Sequence, residues 1–585
     1  MRFKMNPWRI WVLFVLASLA VFGCFDEDTE DDTSAEDGDS SDEPDGDAPD
    51  GDYHYSADGD TPADGDSTSW GDGDGWAADG DALLDGDTPD GDGNWLDGDG
   101  EAALDGDAAD GDAPDGDAAE GEAADNDSTD GDATEGDGEP DAEEDPLAAC
   151  PEEQTPHVLY LSSDDSNSVA SPVILRSMIR RRYLPDIRFI RVWEFLNYYR
   201  VEYPAPSRED QVAVYADMTP AGTPGDYVLQ VAARSYDLTS RAGRPMNLTF
   251  VLDTSGSMNG QPLDLLKAVC RTIAGQLSRG DVVSMVVWNT IQTPIFDGYR
   301  VEGPNDAMLL QAIDRLSSNG STDLDSGLRA GYDLAEENFD RDRLNRVILI
   351  SDGQANVGQV DPDLIGQAAD DSDGEGIYLV GVGVGDGIND TLLERVTDWG
   401  RGAYIFIDSA DEAEKMFGNR FYENMEIAAR ALRMEVTLPW YFIMKQFHGE
   451  EWSENPNEIE PQHLAPNDAM VFHQVIGACQ ADLVDDEDEI VVRANFADPQ
   501  NRQRKTVEQT VAVGDLLAQT LARQIKGNAV VAYAKALEAS VTLPRGESKP
   551  AIEALADQLE AYFEETGDAD CAEMAEVLNT LLERL

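Results

Sequence analysis

The segment Met246 to Leu252 is a short apolar run, and the polar turn Asp253-Thr254-Ser255-Gly256-Ser257 follows it. Leu263, Leu266, Val269, Ile273 and Leu277 then recur at the spacing of one helix face. Val282 to Trp288, Val347 to Ile350 and Ile377 to Val384 read as further strands. Between and after them, Ala307 to Leu316, Leu324 to Leu334 and Thr391 to Thr397 read as helices. Strands alternating with helices predict an α/β domain with a doubly wound, mostly parallel sheet. In such sheets ligands bind beyond the carboxyl ends of the strands, at a topological switch point.

On either side the period changes to two. Gln211 to Met218 and Tyr227 to Ala233 alternate before the α/β domain; Leu432 to Leu438, Ala469 to Ile476, Glu489 to Phe496 and Thr506 to Val513 alternate after it. These two sets are expected to form one β-sandwich into which the α/β domain is inserted. Asp515 to Leu585 reads as helical, with Leu516, Leu517, Leu521 and Ile525 at core spacing. The expected division is a targeting segment over 1–24, a spacer over 25–149, an N-terminal extension over 150–245, the α/β domain over 246–428, sandwich strands over 429–513 and a helical segment over 514–585.

Charge separates the spacer from the rest. The formal net charge is −80, and no Lys or Arg occurs between Arg9 and Arg176. Units such as Asp45-Gly46-Asp47 and Asp115-Gly116-Asp117 repeat through the spacer. Such a sequence buries too little apolar surface to offset its ordering entropy, so a disordered, charge-extended stalk is expected. Fully stretched it would reach roughly 400 Å. Its closest approach to a calcium loop, Asp90, Asp92, Asn94 and Glu101, places Trp95 at the turn and has no flanking helices. The lack of clustered basic residues argues against nucleic acid as a partner.

At the start, Arg2, Lys4 and Arg9 precede the apolar run Ile10 to Phe22, which is short for a membrane span. The run ends in Val21-Phe22-Gly23-Cys24, which resembles the lipobox of bacterial lipoproteins. That resemblance implies a lipid on Cys24 as the only membrane contact. It implies a place in the bacterial cell envelope, and Phe25 after Cys24, where an inner-membrane retention Asp would sit, favours the outer membrane or surface over the inner membrane. Four cysteines remain and permit three pairings. Cys270 lies on the apolar side of a predicted helix and reads as core; Cys479 with Cys571 is the pairing expected.

Asp253-Thr254-Ser255-Gly256-Ser257, with Thr322 in Gly320-Ser321-Thr322 and Asp352 in Ser351-Asp352-Gly353, resembles the metal-ion-dependent adhesion site of von Willebrand factor type A domains. The resemblance covers roughly Pro245 to Met425. It implies that Ser255 and Ser257 coordinate through their hydroxyls and Thr322 directly or through water. Asp253 and Asp352 would act mainly through water or by holding the hydroxyls. Hydroxyl and carboxylate oxygens suit a hard cation, Mg²⁺ in the first place, with Mn²⁺ or Ca²⁺ as alternatives. With few charged ligands the metal would accept an Asp or Glu carboxylate from a partner protein.

Upstream, Val192-Trp193-Glu194-Phe195-Leu196-Asn197-Tyr198-Tyr199 followed by Tyr203-Pro204-Ala205-Pro206 is similar to the N-terminal extension of a group of bacterial lipoproteins with this domain. The dense basic cluster Arg176, Arg180, Arg181 and Arg182 reads as a solvated helix face.

No enzyme signature emerges. Gly381-Val382-Gly383-Val384-Gly385 lacks the Lys-Ser or Lys-Thr of a phosphate-binding loop and reads as a strand end and turn. The five histidines are scattered, and neither H-E-x-x-H nor G-x-S-x-G occurs. The expected function is adhesion or protein binding through the metal site, without catalysis. The alternative is an envelope scaffold whose metal is structural.

Overall fold

The computed structural model describes residues 150–151, 154–238, 244–354, 376–400 and 402–585. The targeting segment, Cys24 and the acidic spacer lie outside the described residues. The first elements are β1 (His157–Ser162), α1 (Ala170–Arg180), α2 (Val192–Tyr198), β2 (Val212–Pro220) and β3 (Asp226–Ser235).

The α/β domain follows: β4 (Met246–Asp253), α3 (Gln261–Gln276), β5 (Val282–Trp288), β6 (Gln292–Arg300), α4 (Ala307–Asp314), α5 (Leu324–Glu337), β7 (Leu344–Ser351), β8 (Tyr378–Val384), α6 (Asp390–Trp399) and β9 (Tyr404–Ile407). Its six strands lie in the order β6-β5-β4-β7-β8-β9. All neighbouring pairs are parallel except β5 with the edge strand β6. Every residue of β4 and β7 is buried, as expected of parallel strands covered on both faces. The chain direction across the sheet reverses between β4 and β7, so the switch point falls at their carboxyl ends.

The sandwich closes with β10 (Ala429–Leu438), β11 (Phe442–Phe447), β12 (Glu451–Ser453), β13 (Gln462–Leu464), β14 (Ala469–Ala478), β15 (Glu489–Ala497) and β16 (Arg504–Ala512). One sheet runs β12-β1-β10-β15-β16 with β13 also on β10; the other runs β11-β14-β3-β2. Strands from before and after the α/β domain therefore share two sheets, and the domain is an insertion. Leu159, Leu161, Leu229, Val231, Met434, Val436, Phe472, Ile490 and Val492 fill the space between them. In β15 buried and partly exposed positions alternate, so one face meets the core and the other faces outward.

Helices α7 (Ala522–Thr542), α8 (Arg545–Thr566) and α9 (Ala569–Leu582) follow the sandwich. Buried Tyr533 of α7 meets Phe195 and Tyr199 edge-on, with ring centroids 5.6 and 5.8 Å apart. The aromatic residues of α2 thus find their partner in the last helical segment rather than in the α/β domain alone.

Two expectations are corrected here. Cys479 pairs with Cys150, not with Cys571, and the paired Cα atoms are 5.2 Å apart. Cys571 is a buried free thiol among the helices, in a different core from the sandwich residues around Cys479. The arginine cluster is a solvated face only in part: Arg180 and Arg182 are exposed, whereas Arg176 is buried. Arg176 is 3 % exposed and reaches Asp408 and Glu412, both at 2.9 Å, and Glu573 at 3.0 Å. Arg180 pairs with Glu576, Arg181 with Asp386 and Arg182 with Glu583. Carboxylates from the α/β domain and from α9 converge on α1, so these charges join three parts of the chain. A second buried junction uses Arg191, which holds both carboxylate oxygens of Asp390 at 2.7 and 3.1 Å and also meets Glu194.

Candidate metal centre

The five residues that the sequence singles out sit on three loops around the β4/β7 switch point. Asp253 ends β4; Ser255 and Ser257 occupy the turn into α3; Thr322 precedes α5; Asp352 follows β7. Asp253, Ser255, Thr322 and Asp352 are buried, whereas Ser257 is exposed.

Hydrogen bonds fasten the loops to one another. Asp253 Oδ1 accepts from the Ser255 amide at 2.8 Å, and Oδ2 accepts from the Ser351 hydroxyl at 2.7 Å. The Ser255 and Ser257 hydroxyl oxygens are 3.0 Å apart. The Gly256 amide donates to Gly320 O at 3.0 Å, and the Asn319 amide to Thr254 O at 2.8 Å, which draws the Thr322 loop onto the first. Gly320 has φ +79°, and a Cβ there would stand 2.6 Å from Thr290 Oγ1, so glycine is required on both counts.

Electrostatics leave the site short of positive charge. Burial raises Asp253 to about 6, against the lowering effect of its bonds from Ser351 and Ser255, and neighbouring Asp352 adds to the rise. Asp352 Oδ1 accepts from the Gln354 amide at 3.0 Å, but the buried Oδ2 has no hydrogen-bond partner among the described residues. An orphaned buried carboxylate oxygen is costly unless something outside the chain satisfies it. Together with two adjacent hydroxyls, it suits an oxygen-seeking cation. Among the described residues no group of three His, Cys, Asp or Glu side chains could hold a metal. The donors that fit are instead two carboxylates with the hydroxyls of Ser255, Ser257 and Thr322.

Three positioning residues escaped the sequence reading. Ser351 fixes Asp253, and Asn289 Nδ2 touches Thr254 Oγ1 at 3.3 Å and Asn319 Oδ1 at 3.2 Å. Thr290 Oγ1 accepts from the Ser321 amide at 3.0 Å. The signal for Ser351 was its place beside Asp352; for Asn289 and Thr290 it lay in their position just after β5, which borders β4 only once the strand order is known. The Gly381 to Gly385 segment is the end of β8 and the turn after it, with Gly385 at φ +91°.

A doubly wound sheet with an oxygen-lined crest at its switch point defines the class. The sequence model described as "von Willebrand factor type A domain" matches residues 247–419, and the chain carries that domain. A second model, described as "von Willebrand factor", matches residues 161–227, within the extension. YfbK of Escherichia coli (strain K12) is 26 % identical over 296 residues, covering 48 % of this chain and 50 % of that protein. The protein sll0103 of Synechocystis is 31 % identical over 194 residues, 33 % of this chain and 44 % of that one. The chain thus spans about half the length of the curated relatives it matches. A solved von Willebrand factor type A protein from Catenulispora acidiphila aligns with a TM-score of 0.39 at 15 % identity, over 62 % of this chain and 88 % of that one. Domains of this family mediate protein–protein interaction and often bind a divalent metal. No helix among the described residues is long and apolar enough to cross a membrane.

Proposed function

We propose that this protein binds an Asp or Glu side chain of a partner protein through a divalent cation, Mg²⁺ in the first place, held by Asp253, Ser255, Ser257, Thr322 and Asp352. The cation would supply Lewis acidity toward an incoming carboxylate oxygen. The chain's own residues arrange the donors: Ser351 orients Asp253, and Asp253 in turn holds the Ser255 turn by its amide. The observation that carries the reading is Asp352 Oδ2, buried at the switch point and without a hydrogen-bond partner among the described residues. We further propose that the binding is non-catalytic and occurs at the bacterial cell envelope, with Cys24 as lipid anchor and the acidic spacer as stalk.

Calorimetric titration of Mg²⁺ into the full chain, beside the Ser255→Ala/Ser257→Ala double variant, tests it. Diffuse association with the spacer is common to both and cancels in the difference. One saturable site present only in the unsubstituted chain is expected; identical titrations would defeat the reading. A scaffold role with a structural metal draws on the buried Arg176 and Arg191 junctions, which fuse the α/β domain to its neighbours. Under that role, co-purifying envelope proteins would survive the double substitution.

A further inference from the structure

The side of the metal centre away from Asp352 differs in character from the rest of the chain. Thr254 to Gln261, Asn289 to Gln292 and Ser317 to Thr322 contain no Asp, Glu, Lys or Arg, in a chain with 120 acidic residues among 585. Within this neutral rim stands Ile291, 65 % exposed and the most exposed of the described large hydrophobic side chains.

A lone surface isoleucine is ordinary in itself. What sets Ile291 apart is how it is held. The Asn289-Thr290-Ile291 turn closes on itself, with the Asn289 amide donating to Ile291 O and the Ile291 amide to Asn289 Oδ1, both at 3.2 Å. Asn289 then grips Thr254 and Asn319, and Thr290 grips Ser321, so the turn is fastened to two of the three metal-site loops. A β-branched side chain on a backbone turn held in place has little conformational freedom left to lose when covered, which favours its use in recognition.

We infer that Ile291 is the apolar half of the docking face, and that the partner presents an acidic side chain flanked by a large apolar one. The inference rests on the reading of the centre as a carboxylate site. The turn after β4, the Asn289 turn and the Thr322 loop admit an acidic segment without adding like charge, and Ile291 supplies the surface that distinguishes one acidic segment from another.

The test uses the full chain, immobilised, and three biotinylated peptides displayed on streptavidin. The peptides are identical and uncharged except for a central Leu-Asp, Ser-Asp or Leu-Asn, and binding is read in Mg²⁺ and in chelator. Leu-Asp is expected to bind about tenfold more tightly than Ser-Asp in Mg²⁺, the scale of one buried aliphatic contact. Ile291→Ser should erase that ratio while leaving Ser-Asp binding unchanged. If Leu-Asp and Ser-Asp bind the unsubstituted chain alike, or if the ratio survives in Ile291→Ser, the inference about Ile291 is overturned and the carboxylate reading stands. If neither acidic peptide exceeds Leu-Asn in Mg²⁺, the carboxylate reading falls and takes the inference with it.

Discussion

Ser351 and Asp253 end neighbouring parallel strands, and the Ser351 hydroxyl donates to Asp253 Oδ2 at 2.7 Å. The bond leaves Asp253 Oδ1 to hold the Ser255 amide, so one serine outside the five-residue set governs the first loop. Ser351→Ala should weaken Mg²⁺ affinity by roughly 10- to 100-fold, the usual effect of losing a group that orients a ligand. Calorimetry reads it; an unchanged affinity would show that Asp253 needs no such support.

Asp352 bears on stability as well as on affinity. Its buried Oδ2 lacks a partner among the described residues of the metal-free chain, a burden of about 1–3 kcal/mol. Asp352→Ala should therefore raise the melting temperature in chelator while abolishing the saturable Mg²⁺ site. A variant that melts lower in chelator would show that the carboxylate supports the fold.

Arg176 is the reverse case, a buried cation with three carboxylate partners. Arg176→Met leaves Glu412 buried without that counter-charge and Asp408 with only Arg180, at 4.0 Å, and a loss of about 3–5 kcal/mol is expected. Urea denaturation checks it. A second substitution, Glu412→Gln in the Arg176→Met background, should recover part of the loss by removing one stranded charge.

Acid should act through the sandwich and α7. His473 of β14 is buried, with Nε2 2.8 Å from Asn528 Oδ1, and the ring of buried His448 lies 5.3 Å away. Burial lowers His473 to about 4, and burial, His473 and Lys535 hold His448 well below the usual range. A lowered folded pKa means that the unfolded chain takes up the proton first. Stability present at pH 7 is then lost as pH falls from about 6.5 to about 4, by roughly 3 kcal/mol for His473 alone. The His473→Gln variant should show a flatter decline in urea midpoint across this window; parallel declines would exclude His473 as the cause.

What could be read from the residues follows from how local each signal is. Strands β4, β5, β7 and β8 are covered on both faces, so they stand out as apolar runs, and the D-x-S-x-S turn lies in one short stretch. Strand β1 was missed because His157–Ser162 is only six residues long and its partners, Leu438 to Met434 and Ser453 to Glu451, lie far downstream. Strands β12 and β13 are three residues each, too short to show a period. Arg176 looked solvated because its carboxylates come from elsewhere: Asp408 is 232 residues away and Glu573 is 397 away. The Cys150–Cys479 pair spans 329 residues, beyond the reach of any local rule.

That disulfide also decides how the folded part carries load. Tension arriving from the N-terminal side at Cys150 divides into two covalent routes. One runs forward through β1, β2 and β3 and enters the inserted domain at β4. The other crosses the disulfide to Cys479 and runs back through β14 and β10, entering the same domain from its far end. A body pulled by both of its chain connections shares the strain between them, so yielding of one route leaves the crest of the α/β domain tethered through the other. Reduction would sever the second route and leave the forward one through β1, β2 and β3 to withstand the pull alone.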